Sequence, residues 1–127
     1  MRMQLCPAVV LASLMATSAL ADNRSRTQGF LLPDGTIEAV PNFSEDQLYW
    51  CGASEAARQV ASGTDRLYVI DAPGPSQSVP GAIGARFSLT PPPGGPVSSF
   101  TNSVEVIGNT MTVAQAAQTC NERSASG

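Results

Sequence analysis

Two cysteines constrain the fold of this chain more than any other feature. Of its three cysteines, Cys6 lies near the N-terminus, whereas Cys51 and Cys120 lie in the body of the chain. A bridge between the latter two would close a loop of about 70 residues, which on the chain-entropy model stabilises a domain by about 4 kcal/mol. A domain of this size is stable by only about 5–15 kcal/mol. Such a bridge would therefore decide whether the domain stays folded.

The N-terminal 21 residues set Cys6 apart from the other two cysteines. Arg2 is followed by a short apolar run, and Ala19-Leu20-Ala21 then fits a small-residue cleavage site. This order is typical of a secretory signal peptide, and the run is too short for a transmembrane helix. We predict that residues 1–21 are a signal peptide, that the protein is exported to the periplasm or the extracellular space, and that the mature chain has no integral membrane segment.

Length and composition predict one domain after cleavage. Residues 22–29 are polar and unpatterned, which favours a flexible lead-in, and residues 124–127 favour a frayed tail. Residues 30–123 have the length of a single domain. Without Arg2, six arginines oppose ten acidic residues, so the mature charge would be −4. An acidic surface of this kind argues against nucleic acid as a partner.

The residue types that are missing restrict the chemistry. The chain has no histidine, and all seven of its basic residues are arginine. Cysteine and serine nucleophiles usually need a neighbouring base such as histidine, and imidazole is the commonest metal ligand. The sequence also lacks a CxxC pair and a glycine-rich phosphate loop. We predict no metal, no cofactor and no catalytic residues, and the sequence identifies no small-molecule or protein partner.

Cys51 has two interpretations besides an internal disulfide with Cys120. It lies near the start of a predicted helix, where the helix terminus can lower a thiol pKa, so a thiol-active protein is one alternative. This requires that the Cα atoms of the two cysteines lie beyond about 7 Å. A bridge between two chains is the other alternative. The internal disulfide is preferred because exported proteins with two cysteines usually pair them.

Hydrophobic patterning predicts an α+β domain. Pro33-Asp34-Gly35 between two apolar runs is typical of a hairpin turn. Ser44 and Gln47 form a capping box for a helix to about residue 61, and Thr112 and Gln115 form another for a last helix. Further strands are expected at residues 66–71, 85–89 and 103–107. We expect an antiparallel sheet of three to five strands with two helices packed on one face and one disulfide.

The two helices are expected to meet at the cysteines. Cys120 falls on the apolar face of the last helix, whereas Cys51 lies with Leu48 on the flank opposite the apolar stripe of the first helix. Docking of the last helix over that flank would place both cysteines together.

Tyr49, Trp50 and Asp71 are the candidate ligand contacts. Exposed, the two aromatic rings could stack on a sugar or a peptide, although their place beside the apolar stripe favours anchoring of the helix in the core. The Pro- and Gly-rich stretch 72–84 is either a functional or a merely flexible loop. Asp71 ends a buried strand and is the best-placed acid for a carboxylate-dependent hydrolase, while Glu38 and Glu105 are predicted to face outward. Such a hydrolase requires a pocket with two acids, one of them with a raised pKa.

The segment Tyr49-Trp50-Cys51-Gly52-Ala53, with a cysteine near the C-terminus, resembles a group of small exported proteins of alphaproteobacteria. The resemblance implies an exported, disulfide-bonded domain and assigns no catalytic residues. Taken together, these features favour a non-enzymatic binding or accessory module. The carboxylate-dependent hydrolase and the thiol-active protein are the alternatives.

Overall fold

A computed structural model describes residues 22–97 and 99–122. The predicted signal peptide and frayed tail therefore lie outside the described residues. The sheet has five antiparallel strands in the order β1-β2-β4-β3-β5. The α+β architecture with one disulfide is confirmed. In chain order the elements are a 3-10 turn at Asn23–Arg26, β1 at Thr27–Leu31, β2 at Ile37–Pro41, α1 at Asp46–Ala57, β3 at Arg66–Pro75, β4 at Ile83–Ser88, β5 at Thr110–Thr112, α2 at Val113–Gln118 and a final 3-10 turn at Thr119–Asn121.

The segment 22–29 differs from the predicted flexible lead-in. The buried Asn23 side chain donates hydrogen bonds to the carbonyl oxygens of Thr119 (2.8 Å) and Glu122 (2.7 Å), and β1 starts already at Thr27. The Asn23 side chain thus attaches this segment to the final 3-10 turn. Periodicity cannot reveal such a role, because the partners lie almost 100 positions away.

Two glycines bring α1 into direct contact with the sheet. A Cβ atom on Gly52 would lie 2.6 Å from Oγ1 of Thr27 and 2.9 Å from the carbonyl oxygen of Gln28, and a Cβ atom on Gly29 would overlap the carbonyl oxygen of Gly52. Glycine within a helix costs about 1 kcal/mol relative to alanine. Here Gly52 allows the backbone of α1 to lie directly on β1. The alanines of α1 are buried.

The helix boundaries are partly as predicted. The box at Thr112 and Gln115 is confirmed, since each side chain accepts a hydrogen bond from the backbone N–H of the other. The box at Ser44 is wrong, because Glu45 occupies the N-cap of α1. The hydroxyl of Ser44 instead shares a 3.0 Å hydrogen bond with that of Tyr49. The helix also ends at Ala57 rather than at about residue 61, and Val60 beyond it is exposed.

The disulfide between Cys51 and Cys120 is present, with Cα atoms 4.8 Å apart. Both cysteines are fully buried where α2 and the final 3-10 turn pack against α1. This confirms the docking predicted for the flank of α1. It contradicts the thiol-active alternative, since the Cys51 sulfur is already bonded.

Two predicted elements in the second half of the chain are corrected. Residues 103–107 form a turn rather than a strand, in which the buried Val104 donates its N–H to Asp46 (3.2 Å). The stretch 72–84 is only in part a loop, because β3 extends to Pro75 and β4 begins at Ile83, so that residues 76–82 alone connect the two strands. Prolines are tolerated there since β5 pairs only with the first residues of β3, leaving one side of its second half open.

Candidate functional site

The two faces of the sheet carry different chemistry. Ile37, Ala39 and Phe87 face α1 and belong to the hydrophobic core. Successive residues of a strand point to opposite faces, so Glu38 and Arg86, which are paired across β2 and β4, lie on the other face. The connection between β3 and β4, residues 76–82, folds over one end of that face and is called the β3–β4 loop below.

Glu38 holds the β3–β4 loop in place. Its carboxylate accepts hydrogen bonds from the backbone N–H groups of Gln77 (2.9 Å) and Ser78 (2.8 Å) and from the hydroxyl of Ser76 (3.2 Å). Gly84 makes room for it, because a Cβ atom there would lie 2.7 Å from the carboxylate. The loop leaves Glu38 only 2% exposed. Glu38 does lie on the outward face of β2, as predicted, but the loop covers that face and buries the side chain.

The hydrogen bonds also determine the charge state of Glu38. Burial by itself would raise the pKa of its carboxyl group, but the hydrogen bonds from Ser78, Gln77 and Ser76 outweigh this effect, and the pKa is lowered. A carboxylate that accepts several backbone N–H bonds is stabilised in its ionised form. Glu38 is thus a permanent anion at neutral pH.

A polar pocket of about 330 Å³ opens beside Glu38. It brings Glu38 together with Asp71, as the carboxylate hypothesis requires, and with Arg86. Arg86 bridges Asp71 (3.3 Å) and Asp34 (3.2 Å), while its buried Nε has no hydrogen-bond partner in the described part of the chain.

This pocket does not have the acid–base properties that the alternative, a carboxylate-dependent hydrolase, requires. A general acid at neutral pH needs a raised pKa, whereas the pKa of Glu38 is lowered and its oxygens already accept loop hydrogen bonds. Asp71 is more than half exposed and paired with Arg86. The geometry therefore indicates a structural role for Glu38.

A second cavity, called the groove below, lies where α1 begins. It has a volume of about 420 Å³. Phe43 and Ile83 flank it and are 45% and 48% exposed. None of the described residues that line it carries a charge. The lining residues are Gln28, Val40, Pro41, Asn42, Phe43, Ser44 and Tyr49 from β1 to α1, and Val79, Gly81, Ala82 and Ile83 from the β3–β4 loop and β4.

The predicted contacts Tyr49 and Trp50 are core residues. Trp50 is fully buried, contacts Phe87 edge to face with ring centroids 4.9 Å apart, and donates its indole N–H to the carbonyl oxygen of Asn102 (2.6 Å). Trp50 thus anchors α1 in the core, as its place beside the apolar stripe favours, and it is not exposed for contact with a ligand. Tyr49 is also buried but lines the groove, where its hydroxyl meets that of Ser44. Burial raises the pKa of Tyr49, so it stays a neutral hydrogen-bonding group.

Sequence reasoning missed Phe43 and Ile83, the two exposed apolar residues of the groove. Phe43 does carry a signal, because it is a large apolar residue between the end of a strand and the start of a helix, outside either periodic pattern. Ile83 carries none, since its exposure depends on how the β3–β4 loop folds back.

The described residues contain no group of three or more cysteine or acidic side chains that could hold a metal ion. In the same ranges, no helix is long and apolar enough to cross a bilayer. Comparison of the chain with protein-family models, with curated proteins and with solved structures finds no match.

Proposed function

We propose that this protein is an exported, non-enzymatic binding module whose groove takes an uncharged peptide segment with an aromatic or aliphatic side chain. The observation that carries the proposal is the combination of two exposed apolar residues, Phe43 and Ile83, with an uncharged lining. Binding sites are mostly apolar clefts with a few placed polar groups. The groove matches this description, while the polar pocket lacks a general acid.

The polar groups of the groove suit a peptide backbone. Amide side chains of Gln28 and Asn42 and the hydroxyl groups of Ser44 and Tyr49 all line it. Each of these groups can donate and accept hydrogen bonds without a charge, as peptide N–H and carbonyl groups require. No described lining residue carries a charge, and the acidic groups Asp46 and Glu105 act on Tyr49, so a segment without negative charge is favoured.

The groove is held open by the fold. One wall is the end of β2 and the start of α1, and the other is the β3–β4 loop, which Glu38 fastens through Ser76, Gln77 and Ser78. A pre-formed site avoids the free-energy cost of ordering a loop on binding. Glu38 is therefore a positioning residue for the groove.

Two observations support export. The first 21 residues have the three parts of a signal peptide, and the buried disulfide suits an oxidising compartment. The resemblance to small exported alphaproteobacterial proteins agrees with a periplasmic or extracellular location. The module would then bind its peptide segment outside the cytoplasm.

Selection from a random heptapeptide phage library tests the proposal. The immobilised, disulfide-bonded protein should enrich uncharged peptides that contain Phe, Tyr, Leu or Ile. Their dissociation constants, measured by fluorescence anisotropy, should rise at least tenfold for Phe43→Ser, which removes the apolar wall. The matched control is Val60→Ser, which removes an exposed apolar side chain outside the groove and should leave binding unchanged.

Two outcomes contradict the proposal. One is enrichment of charged peptides whose binding is the same for the wild type and Phe43→Ser. The other is failure to enrich any peptide, combined with binding to a neutral oligosaccharide array that Phe43→Ser abolishes. The second result would keep the groove as the site but replace the peptide by a sugar.

A further inference from the structure

Residues 91–97 and 99–101 lie between β4 and β5 outside the helices and strands, and this segment, called the finger below, carries Phe100. The Phe100 side chain is fully exposed, and Val97 in the same segment is 38% exposed. Single exposed apolar residues are common on protein surfaces. Phe100 differs because the chain directly after it is firmly attached to the domain.

The base of the finger is fixed by buried groups. The Asn109 side chain, itself only 2% exposed, donates to the carbonyl oxygens of Thr101 (3.1 Å) and Ser103 (2.8 Å), and Trp50 donates to that of Asn102 (2.6 Å). Next to Phe100, the N–H of Thr101 donates to the hydroxyl of Ser99 (3.2 Å). An aromatic side chain presented from an ordered turn loses little conformational entropy on binding, and such residues often dominate interfaces.

The distribution of charge favours particular partner surfaces for the finger. No charged residue occurs from Phe87 to Val104, and the groove lining is also uncharged. The whole chain has a formal net charge of −3, so two copies repel each other in general. That repulsion is weakest where one uncharged surface meets another, as the finger and the groove do.

The groove is large enough for the phenyl ring. A cavity of about 150 Å³ can hold benzene, and the groove has about 420 Å³. Phe100 is exposed and does not line the groove of its own chain. The groove of a second copy therefore offers the finger a site that is large enough for Phe100 and, like the finger, uncharged.

We propose that the finger of one copy docks Phe100 into the groove of a second copy. This inference rests on the proposed function in so far as the finger is one of the uncharged peptide segments that the groove accepts. Exchange of fingers in both directions would give a closed dimer, and docking in one direction would give an open chain. Either assembly depends on protein concentration.

Complementation between two variants tests the contact. Sedimentation equilibrium of the disulfide-bonded protein, from micromolar to millimolar concentration, should show a weight-average mass that rises above the monomer. Phe100→Ser lacks the finger contact and Phe43→Ser lacks the groove contact, so each alone should associate at least tenfold more weakly. A mixture of the two should form a one-to-one complex, because one variant keeps the groove and the other keeps the finger.

Controls distinguish the contact between Phe100 and the groove from non-specific hydrophobic association and from misfolding. Val60→Ser should associate like the wild type, and Ile83→Thr should repeat the effect of Phe43→Ser. Far-ultraviolet circular dichroism and intact mass check that each variant is folded and disulfide-bonded. Phe100 makes no contact in the core, so its replacement should leave the melting temperature unchanged.

The inference is overturned if the wild type stays monomeric at millimolar concentration, or if Phe100→Ser associates as strongly as the wild type. It is also overturned if the two folded variants fail to associate when mixed. If library peptides nevertheless bind the wild type and not Phe43→Ser, only self-association fails and the proposed function stands. If library peptides bind neither the wild type nor Phe43→Ser, self-association and the proposed function both fail.

Discussion

The two faces of the sheet are held by different kinds of interaction. On the helix side, α1 lies on β1 through Gly29 and Gly52, and a disulfide from Cys51 attaches the 3-10 turn at Thr119–Asn121. On the other side, the β3–β4 loop is held through hydrogen bonds to a single carboxylate, that of Glu38. Backbone packing and a covalent bond therefore stabilise the helix side, whereas hydrogen bonds to one ionised carboxylate stabilise the loop side.

This difference indicates which side of the sheet can form a binding site. Where α1 lies on β1, the helix side allows almost no change, because backbone atoms are in contact and small buried alanines fill the space. Beside α2 this side is less tightly filled, since Met111, Gln115 and Gln118 line a further cavity of about 330 Å³. The loop side leaves two cavities, and the groove depends on the β3–β4 loop for one of its walls. Stability should therefore be most sensitive on the helix side, and binding most sensitive on the loop side.

The largest expected effect is that of Gly29→Ala. The added Cβ would overlap a backbone carbonyl oxygen of α1, which cannot move without shifting the helix. We expect a loss of more than about 3 kcal/mol in the free energy of unfolding, because overpacking against backbone cannot be relieved by a rotamer change. Urea unfolding measures it. Gly94→Ala is the control, since open space surrounds Gly94. Equal effects for both variants would refute the close packing.

Loss of the disulfide should have the next largest effect. The bridge joins residues 69 positions apart, and the chain-entropy model assigns about 4 kcal/mol to a loop of this length, before strain is subtracted. We expect the double variant Cys51→Ala with Cys120→Ala to lose about 2–4 kcal/mol in urea unfolding. The wild type with reductant should unfold at the same urea concentration as the double variant, while an unchanged midpoint after full reduction would contradict the prediction.

Glu38→Gln should destabilise the loop side of the sheet and leave the helix side unchanged. The neutral amide accepts weaker hydrogen bonds from Gln77 and Ser78, and its own N–H groups oppose those donors. Hydrogen bonds to charged groups contribute about 1.5–3 kcal/mol, so we expect a loss of about 2 kcal/mol. Hydrogen exchange should speed up in the β3–β4 loop and remain slow in α1. The control Glu105→Gln, at an exposed position, should change neither. Uniformly faster exchange in α1 and the loop would contradict a local role.

The contribution of Glu38 should also depend on pH. Its pKa is lower in the folded protein than the ordinary value of 4.5, so folding favours the ionised form. Its stabilisation is complete above about pH 5 and is lost as the pH falls through the lowered folded pKa. The difference in melting temperature between the wild type and Glu38→Gln should be constant from pH 7 to 5 and shrink below pH 4.5. A difference that grows on acidification would contradict the assignment.

The smallest expected effect is that of Asp71→Asn. The side chain of Asp71 is 57% exposed and pairs with Arg86, which also pairs with Asp34. Exposed ion pairs contribute about 0–1 kcal/mol, so we expect a loss below 1 kcal/mol in urea unfolding and unchanged peptide binding. A loss as large as that of Glu38→Gln would show that the polar pocket, and not the loop anchor, dominates this face.

Much of the fold could be predicted from the sequence because it depends on local signals. The hairpin at Pro33–Gly35, the capping box at Thr112 and the flank of α1 that carries Cys51 all follow from turn chemistry and helical spacing. The strand predicted at 103–107 is wrong because that prediction also used only a local signal. Its alternation of Val104 and Val106 resembles a strand, but the buried Asn109 and Trp50 hold the neighbouring backbone in a turn.

The sequence by itself determined the fold class and the residue types available for chemistry, and it favoured the pairing of Cys51 with Cys120 that the structure contains. Only the tertiary structure decided that Glu38 is a buried loop anchor, that Trp50 belongs to the core, and that Phe43 and Ile83 flank a groove. The physical reason is that burial depends on contacts between distant segments. Glu38 is buried by residues about 40 positions away, and a pattern along one strand reports only which face a side chain points to, not what covers that face.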